Sequence, residues 1–269
     1  MKTISHDLIY DVGLLDGADT AYYLFRGYRV VAVDANPLMI EAARVRFADE
    51  IQAKRLTLVN VGISEKFGEA TFWISDQPEW SSFNREVASR DGTGHHPISV
   101  PTMPFSELLA EYGVPHYLKV DIEGNDKLCV EALKGGTLPK YISVEMSGTE
   151  LDLLWDTGYR RFKLVRQEGW CPARPPVADF CARLIGSAAY GRLRPLGLSR
   201  IAQKFTYQAR LASLGFAFAP GSSGPWGDDI PGQWMSFKEA KSTCLRKRRS
   251  HFSRDVTAYS FWYDWHATY

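Results

Sequence analysis

Hydrophobic and polar positions alternate in blocks along the first two thirds of the chain. Leu8, Ile9, Tyr10 and Val12 form an apolar run that fits a strand buried on both faces. The stretch 20–26 has helical character and stops at Gly27, and 28–33 is again apolar and β-branched. Met39, Ala42, Val45 and Phe47 recur at helical spacing and predict a helix over 37–53. Strands are predicted over 56–61, 67–74 and 98–100, and a helix over 104–112 with Phe105, Leu108 and Leu109 inward. A core strand over 117–122 is interrupted only by Lys119, and a helix over 127–133 follows it. A strand over 141–144, a helix over 149–156 and an antiparallel edge strand over 159–166 complete the series. Strand and helix in alternation predict a largely parallel sheet with crossover helices.

Three segments break the pattern. The polar stretch 77–97 carries Trp80, Ser81, Ser82, Phe83, His95 and His96. A loop of that length inside a compact domain points to function. Residues 168–215, rich in Arg, Pro and small residues, are predicted to form a helical lid inserted into a single domain spanning 1–269. A glycine-rich loop, 221–234, then leads toward an aromatic strand over 260–266 that is expected to pair back into the sheet.

The opening segment carries the most chemistry. Gly13 and Gly17 bracket the turn after the first strand, and Asp34 ends the second strand. A glycine there permits positive φ and lets a ligand approach the backbone. An acid at the end of the second strand can accept hydrogen bonds from an adenosine ribose. The spacing is D-x-G-x-x-x-G from Asp11, not the G-x-G-x-x-G of dinucleotide sites. A pyrophosphate would be repelled by Asp11, whereas a sulfonium and an ammonium would be attracted. The turn therefore favours S-adenosylmethionine over NAD, leaving a NAD-linked oxidoreductase as the rival reading.

Composition narrows the classes further. Apolar residues make up 45% of the 269 positions and the net charge is +1, so a sizeable core is available and no global charge bias exists. Arg174, Arg183, Arg192, Arg194, Arg200, Lys204 and Arg210 face a single acid, Asp179, and a second basic run spans 246–249. These runs fit solvated faces; a non-catalytic nucleic-acid-binding protein that uses them is a further alternative, but without an aromatic RNA platform or a DNA-binding motif no nucleic-acid partner is expected. Cys129, Cys171, Cys181 and Cys244 show no paired spacing and read as free thiols. The first strand starts too early for a signal peptide, and no apolar run approaches the ~18 residues of a membrane span. A cytoplasmic location is the expectation.

In an open α/β sheet the ligand lies beyond the carboxyl ends of the strands. There the chain places Asp11, Asp34, Asp121, Glu123 and Glu145. The segments DVGLLDGADT, VVAVDANP, LVNVGIS, YLKVDIEGND and ISVE, in this order, resemble the FkbM family of S-adenosylmethionine-dependent methyltransferases. The loop over 221–234 is also similar to a segment of many members.

That resemblance implies an α/β class I methyltransferase fold, Rossmann-like, with a seven-stranded mixed sheet, one antiparallel strand and helices on both faces. It implies methyl transfer to a hydroxyl of a small molecule, a sugar or glycan, or a secondary metabolite. It assigns Asp11, Gly13, Gly17 and Thr20 to the cofactor's methionine loop, Asp34 and Asn36 to the ribose, Asn60 to the adenine boundary and Asp121 to the methionine end. Leu15 replaces the middle glycine common in methyltransferases. Candidate bases are Asp121, Glu123 and Glu145, followed by His95, His96 and His266. Paired acids could hold Mg2+, but no metal ligand set is assigned. Trp80 to Phe83, Trp226 and Trp234 are candidate aromatic contacts for the acceptor.

Overall fold

The structure, a computed structural model, describes residues 3–146, 148–167, 171–172, 213–219, 222–230, 232–252 and 263–269, with backbone alone at 171–172 and 246–252. The chain runs β1 (Ile4–Val12), α1 (Ala18–Phe25), β2 (Arg29–Asp34), α2 (Pro37–Arg46), α3 (Ala48–Gln52) and β3 (Leu56–Asn60). Next come β4 (Gly62–Ile63), β5 (Gly68–Ser75), α4 (Arg85–Ala88), β6 (His95–Met103) and α5 (Phe105–Tyr112). Then follow β7 (Val114–Val120), α6 (Asp126–Glu131), β8 (Tyr141–Glu145), α7 (Glu150–Thr157), β9 (Arg161–Arg166) and β10 (Cys171–Pro172). A late helix, α8 (Phe237–Phe252), and β11 (Tyr263–Thr268) complete the described elements.

The main sheet has the order β10-β9-β11-β8-β7-β1-β2-β3. From β3 to β8 all pairs are parallel, and β11 runs antiparallel to both β8 and β9. Seven strands with one reversed are thus present as expected, and the two-residue β10 adds an eighth at the edge. The strand expected over 159–166 is present as β9, antiparallel to β11 and, among the described residues, at the sheet edge except where β10 pairs with Val165 and Arg166; its expected alternation is corrected. β9 points the same way as β8 and is buried over its four central residues. Most of the expected lid, 168–215, lies outside the described residues, and its one early piece, β10, is a strand.

The pleat sends alternate residues of each strand into two cores. Leu8, Tyr10 and Val12 of β1 enter one, with Phe105 and Leu108 of α5, Val130 of α6 and Leu154 of α7. Ile9 enters the other, with Tyr22 and Tyr23 of α1 and Ile40 and Ala43 of α2. The second core is closed by the late segment. Trp226 is buried and stacks on Tyr117 with centroids 4.7 Å apart and planes at 10°, and Phe218 packs on Tyr22 at 4.7 Å. Trp226 and Trp234 therefore face Tyr117 and Tyr141 on the sheet, away from the carboxyl ends of the strands.

The stretch 77–97 is shorter as a loop than its composition predicts. β5 and β6 pair antiparallel in a second sheet with β4, so His95 and His96 are strand residues. A bridge between Trp73 and Ser82 folds the connection back onto β5. The side chain of Trp226 is the largest buried apolar group that the described residues 213–234 contribute to the second core. Trp226→Ala is expected to cost roughly 3–5 kcal/mol, read as a lower urea midpoint with an unchanged slope.

Candidate functional site

A cleft of about 560 Å³ opens at the carboxyl ends of β1, β2, β7 and β8. One end is built from the turn after β1 and from Asp34, Asn36 and Met39; the other from Asp121, Glu123, Glu145 and Gln167. Trp80, Ser81 and Phe83 form part of its wall.

Glycine at position 13 serves packing as much as access. Its φ is 92°, and a Cβ there would lie 1.8 Å from the Asp121 carbonyl oxygen. The turn is thereby pressed against the end of β7, where the Asp121 N–H donates to Val12 O at 2.9 Å. Gly17, at φ 75°, begins α1, and a Cβ there would meet the Phe47 ring at 2.7 Å. Asp34 organises the ribose-side wall. Its carboxylate accepts from Leu15 N at 2.9 Å and Asn36 N at 2.8 Å. Burial raises its pKa against those two N–H groups. Asn60 donates to the carbonyls of Asp34 and Ala35 at 2.9 and 3.2 Å, bracing this corner from outside the cleft lining.

Of the residues the sequence assigns to a cofactor, Gly13, Asp34, Asn36 and Asp121 line the cleft. Asp11, Gly17, Thr20 and Asn60 are outside that lining. Asp11 is wholly buried beneath it, accepting from Thr20 Oγ1 at 2.6 Å and pairing with Lys119 Nζ at 3.2 Å. Burial lifts its pKa to about 6 even with the ammonium beside it.

The candidate bases divide in the same way. Asp121, Glu123 and Glu145 all line the cleft. Burial first, then the Asp121 carboxylate, raises Glu145 to about 9 and the neighbouring Asp264 to about 8. Asp264 also accepts from Gln167 Nε2 at 2.9 Å. Glu123 pairs with Arg90 at 3.0 Å, and its carbonyl accepts from Ser82 Oγ at 2.7 Å. The histidines are elsewhere. His95 Nε2 accepts from Arg85 Nε at 3.1 Å, and neither His95 nor His96 lines the cleft. His266 is buried in β11, burial lowers it to about 3, and neither ring nitrogen has a hydrogen-bond partner among the described residues. Of the candidate bases, only the three carboxylates line the cleft.

Lys119, Asp19, Gln167 and Ser222 also line the cleft and were not singled out from the sequence as site residues. Asp19 anchors the late segment, accepting from Ser222 Oγ at 2.8 Å and Ser223 N at 3.0 Å. An acid in the first turn of α1 was visible; its partner two hundred residues on was not. Among the described residues no group of three or more His, Cys, Asp or Glu side chains is arranged to hold a metal ion, and no helix is long and apolar enough to cross a membrane.

A seven-strand sheet of this order, with one reversed strand and an acid-ended cleft at the carboxyl edge, defines a Rossmann-like methyltransferase fold. The family model described as "Methyltransferase FkbM domain" matches residues 11–169, and the chain belongs to that family. Comparison with curated proteins finds no match.

The acid cluster has a consequence for stability. Glu145 and Asp264 bind protons more tightly folded than unfolded, so the fold loses stability as pH rises from the ordinary carboxylate range through about 8 and 9. The melting temperature is expected to fall between pH 5 and pH 9 in the protein, and to fall less in Glu145→Gln. Thermal unfolding across that range checks both slopes.

Proposed function

We propose that this protein is an S-adenosylmethionine-dependent O-methyltransferase acting on a hydroxyl of a sugar, glycan or other small molecule. The observation that carries the reading is one cleft joining Asp34 and Asn36 at one end to Asp121 and Glu145 at the other, with Lys119 as the one lining cation among the described residues. That donor set suits a ligand with a ribose, an ammonium and a sulfonium. It offers little to a pyrophosphate, which needs converging N–H groups and positive charge.

In this reading the Asp34 carboxylate accepts from the ribose hydroxyls, using lone pairs left free by Leu15 and Asn36. The Gly13–Leu15 turn and Asp121 hold the methionine portion, and Asn60 acts indirectly by bracing the backbone of Asp34. Asp11 and Thr20 act from beneath, through Lys119. Bound S-adenosylmethionine supplies an electrophilic methyl group. The chain's own part is to align the acceptor oxygen and take its proton. Alignment of reactants in such a site is worth roughly 7–11 kcal/mol.

Glu145 is the favoured base, because burial and the Asp121 charge place its pKa near 9, where an accepted proton is held. Trp80 and Ser81 supply an apolar face beside a hydroxyl, a combination that suits a polyhydroxylated acceptor.

Asp34→Ala is expected to weaken S-adenosylmethionine binding by about tenfold or more, equal to about 1.4 kcal/mol. Calorimetric titration giving an unchanged dissociation constant would remove Asp34 from the ribose site. Turnover of methyl-labelled cofactor with an acceptor drawn from hydroxylated metabolites is expected to climb from pH 6 to pH 9 as Glu145 loses its proton. Glu145→Gln should abolish that climb while leaving cofactor affinity within a few-fold. A pH profile identical in the two proteins would exclude Glu145 as the base.

A further inference from the structure

Lys119 interrupts an otherwise apolar strand, and its side chain is only 5% exposed. Its Nζ donates to the Gly13 carbonyl at 2.6 Å. It stands 3.2 Å from Asp11 Oδ1, 3.8 Å from Asp19 Oδ2 and 3.9 Å from Asp121 Oδ2. One ammonium thus connects the turn after β1, the first turn of α1 and the end of β7. Through Asp19 it also reaches Ser222 and Ser223 of the late segment. A lysine buried this deeply must have each proton directed at an acceptor, and its charge must be matched. Here the carboxylates outnumber it.

Resting on the reading of the cleft as an S-adenosylmethionine site, we propose that Lys119 is the positioning residue of its methionine end. It fixes the Gly13 carbonyl and holds the Asp121 carboxylate in place as an acceptor for the cofactor's ammonium. The charged groups around it are Asp11 on β1, Asp34 on β2, Asp19 on α1, Asp121 after β7 and Asp264 on β11, with Glu145 on β8 acting through Asp121. All are acids. Without the ammonium, the Gly13 carbonyl and the Asp121 carboxylate lose the group that holds them together, so the defect should fall on ligands that carry the methionine portion and spare those that lack it.

The test is calorimetric titration of the full chain with S-adenosylmethionine, S-adenosylhomocysteine and 5′-methylthioadenosine, which lacks the amino-acid portion. Lys119→Met is expected to weaken the first two about tenfold or more and to leave the third within a few-fold of the parent affinity. In the double variant Lys119→Met with Asp11→Asn the carboxylate left without its ammonium is removed, which protects folding. It should show the same split between ligands and decides the matter if the single variant does not fold. Unchanged affinity for all three ligands, or an equal loss for all three, overturns the proposal, since a merely structural lysine gives no such split. If the parent chain binds neither S-adenosylmethionine nor S-adenosylhomocysteine, the cofactor reading itself fails; if it binds both and the variants match it, only the role of Lys119 falls.

Discussion

The site is organised around a buried ammonium among carboxylates. Removing Lys119 from water carries a desolvation cost of several kcal/mol, which is offset only if its neighbours are placed to match it. Burial opposes its charge, but Asp11, Asp121 and Asp19 together outweigh burial and hold it protonated. The geometry needed for that match also brings the turn after β1 against the end of β7. Gly13 is pressed so close to the Asp121 carbonyl that a side chain has no room. Position 13 and position 119 are therefore two views of one contact, in which backbone packing and charge balance impose the same approach of two strand ends.

The register extends this contact across the sheet. Asp11 lies opposite Lys119, Lys119 opposite Ser143, Ser143 opposite His266 and His266 opposite Lys163. Five polar residues thus form a row through the centre of one sheet face, all of them buried. Each end of the row meets its polar needs differently. Lys119 uses carboxylates and a turn carbonyl, while Lys163 donates to the carbonyls of Ile230 and Gly227 at 2.6 and 3.3 Å and faces the Trp234 ring at 4.3 Å. The late segment can cover this face in place of a helix because its irregular backbone leaves carbonyls free to point inward.

That row explains where sequence reasoning succeeded and where it stopped. Apolar runs around Ile9, Val31 and Ile142 announced buried strands, and the acids after β1, β2, β7 and β8 announced the edge where a ligand would lie. The same logic reads lysine as a solvent marker, so Arg161 and Lys163 made β9 resemble an alternating edge strand. Its burial depends on carbonyls from residues 227–230, a contact no local pattern contains. The stretch 77–97 failed for a related reason. β5 pairs with β6 through contacts distant in sequence, and the Trp73–Ser82 bridge is what carries Trp80 and Ser81 to the cleft. Asp11 shows the converse: its place in the motif is legible, but only the structure shows it beneath the cleft rather than at its surface.

The charge distribution of the cleft favours the proposed cofactor over a dinucleotide. A dinucleotide site uses a helix N-terminus with open amides to receive two phosphates. Here α1 begins at Gly17, and the acid in its first turn, Asp19, already accepts from Ser222 Oγ and Ser223 N. A pyrophosphate at that point would meet Asp19 and, beyond it, Asp121 and Glu145, with one lining cation, Lys119, among the described residues. The acids at that end, Asp16 accepting from Ala18 N and Asp19 in the first turn, offset the positive end of the helix, so the cleft presents acceptors where a dinucleotide site presents donors. A ligand bearing two positive centres and a ribose suits such a surface, where burial and the Asp121 charge raise the pKa values of Glu145 and Asp264 and acids outnumber cations among the described lining residues.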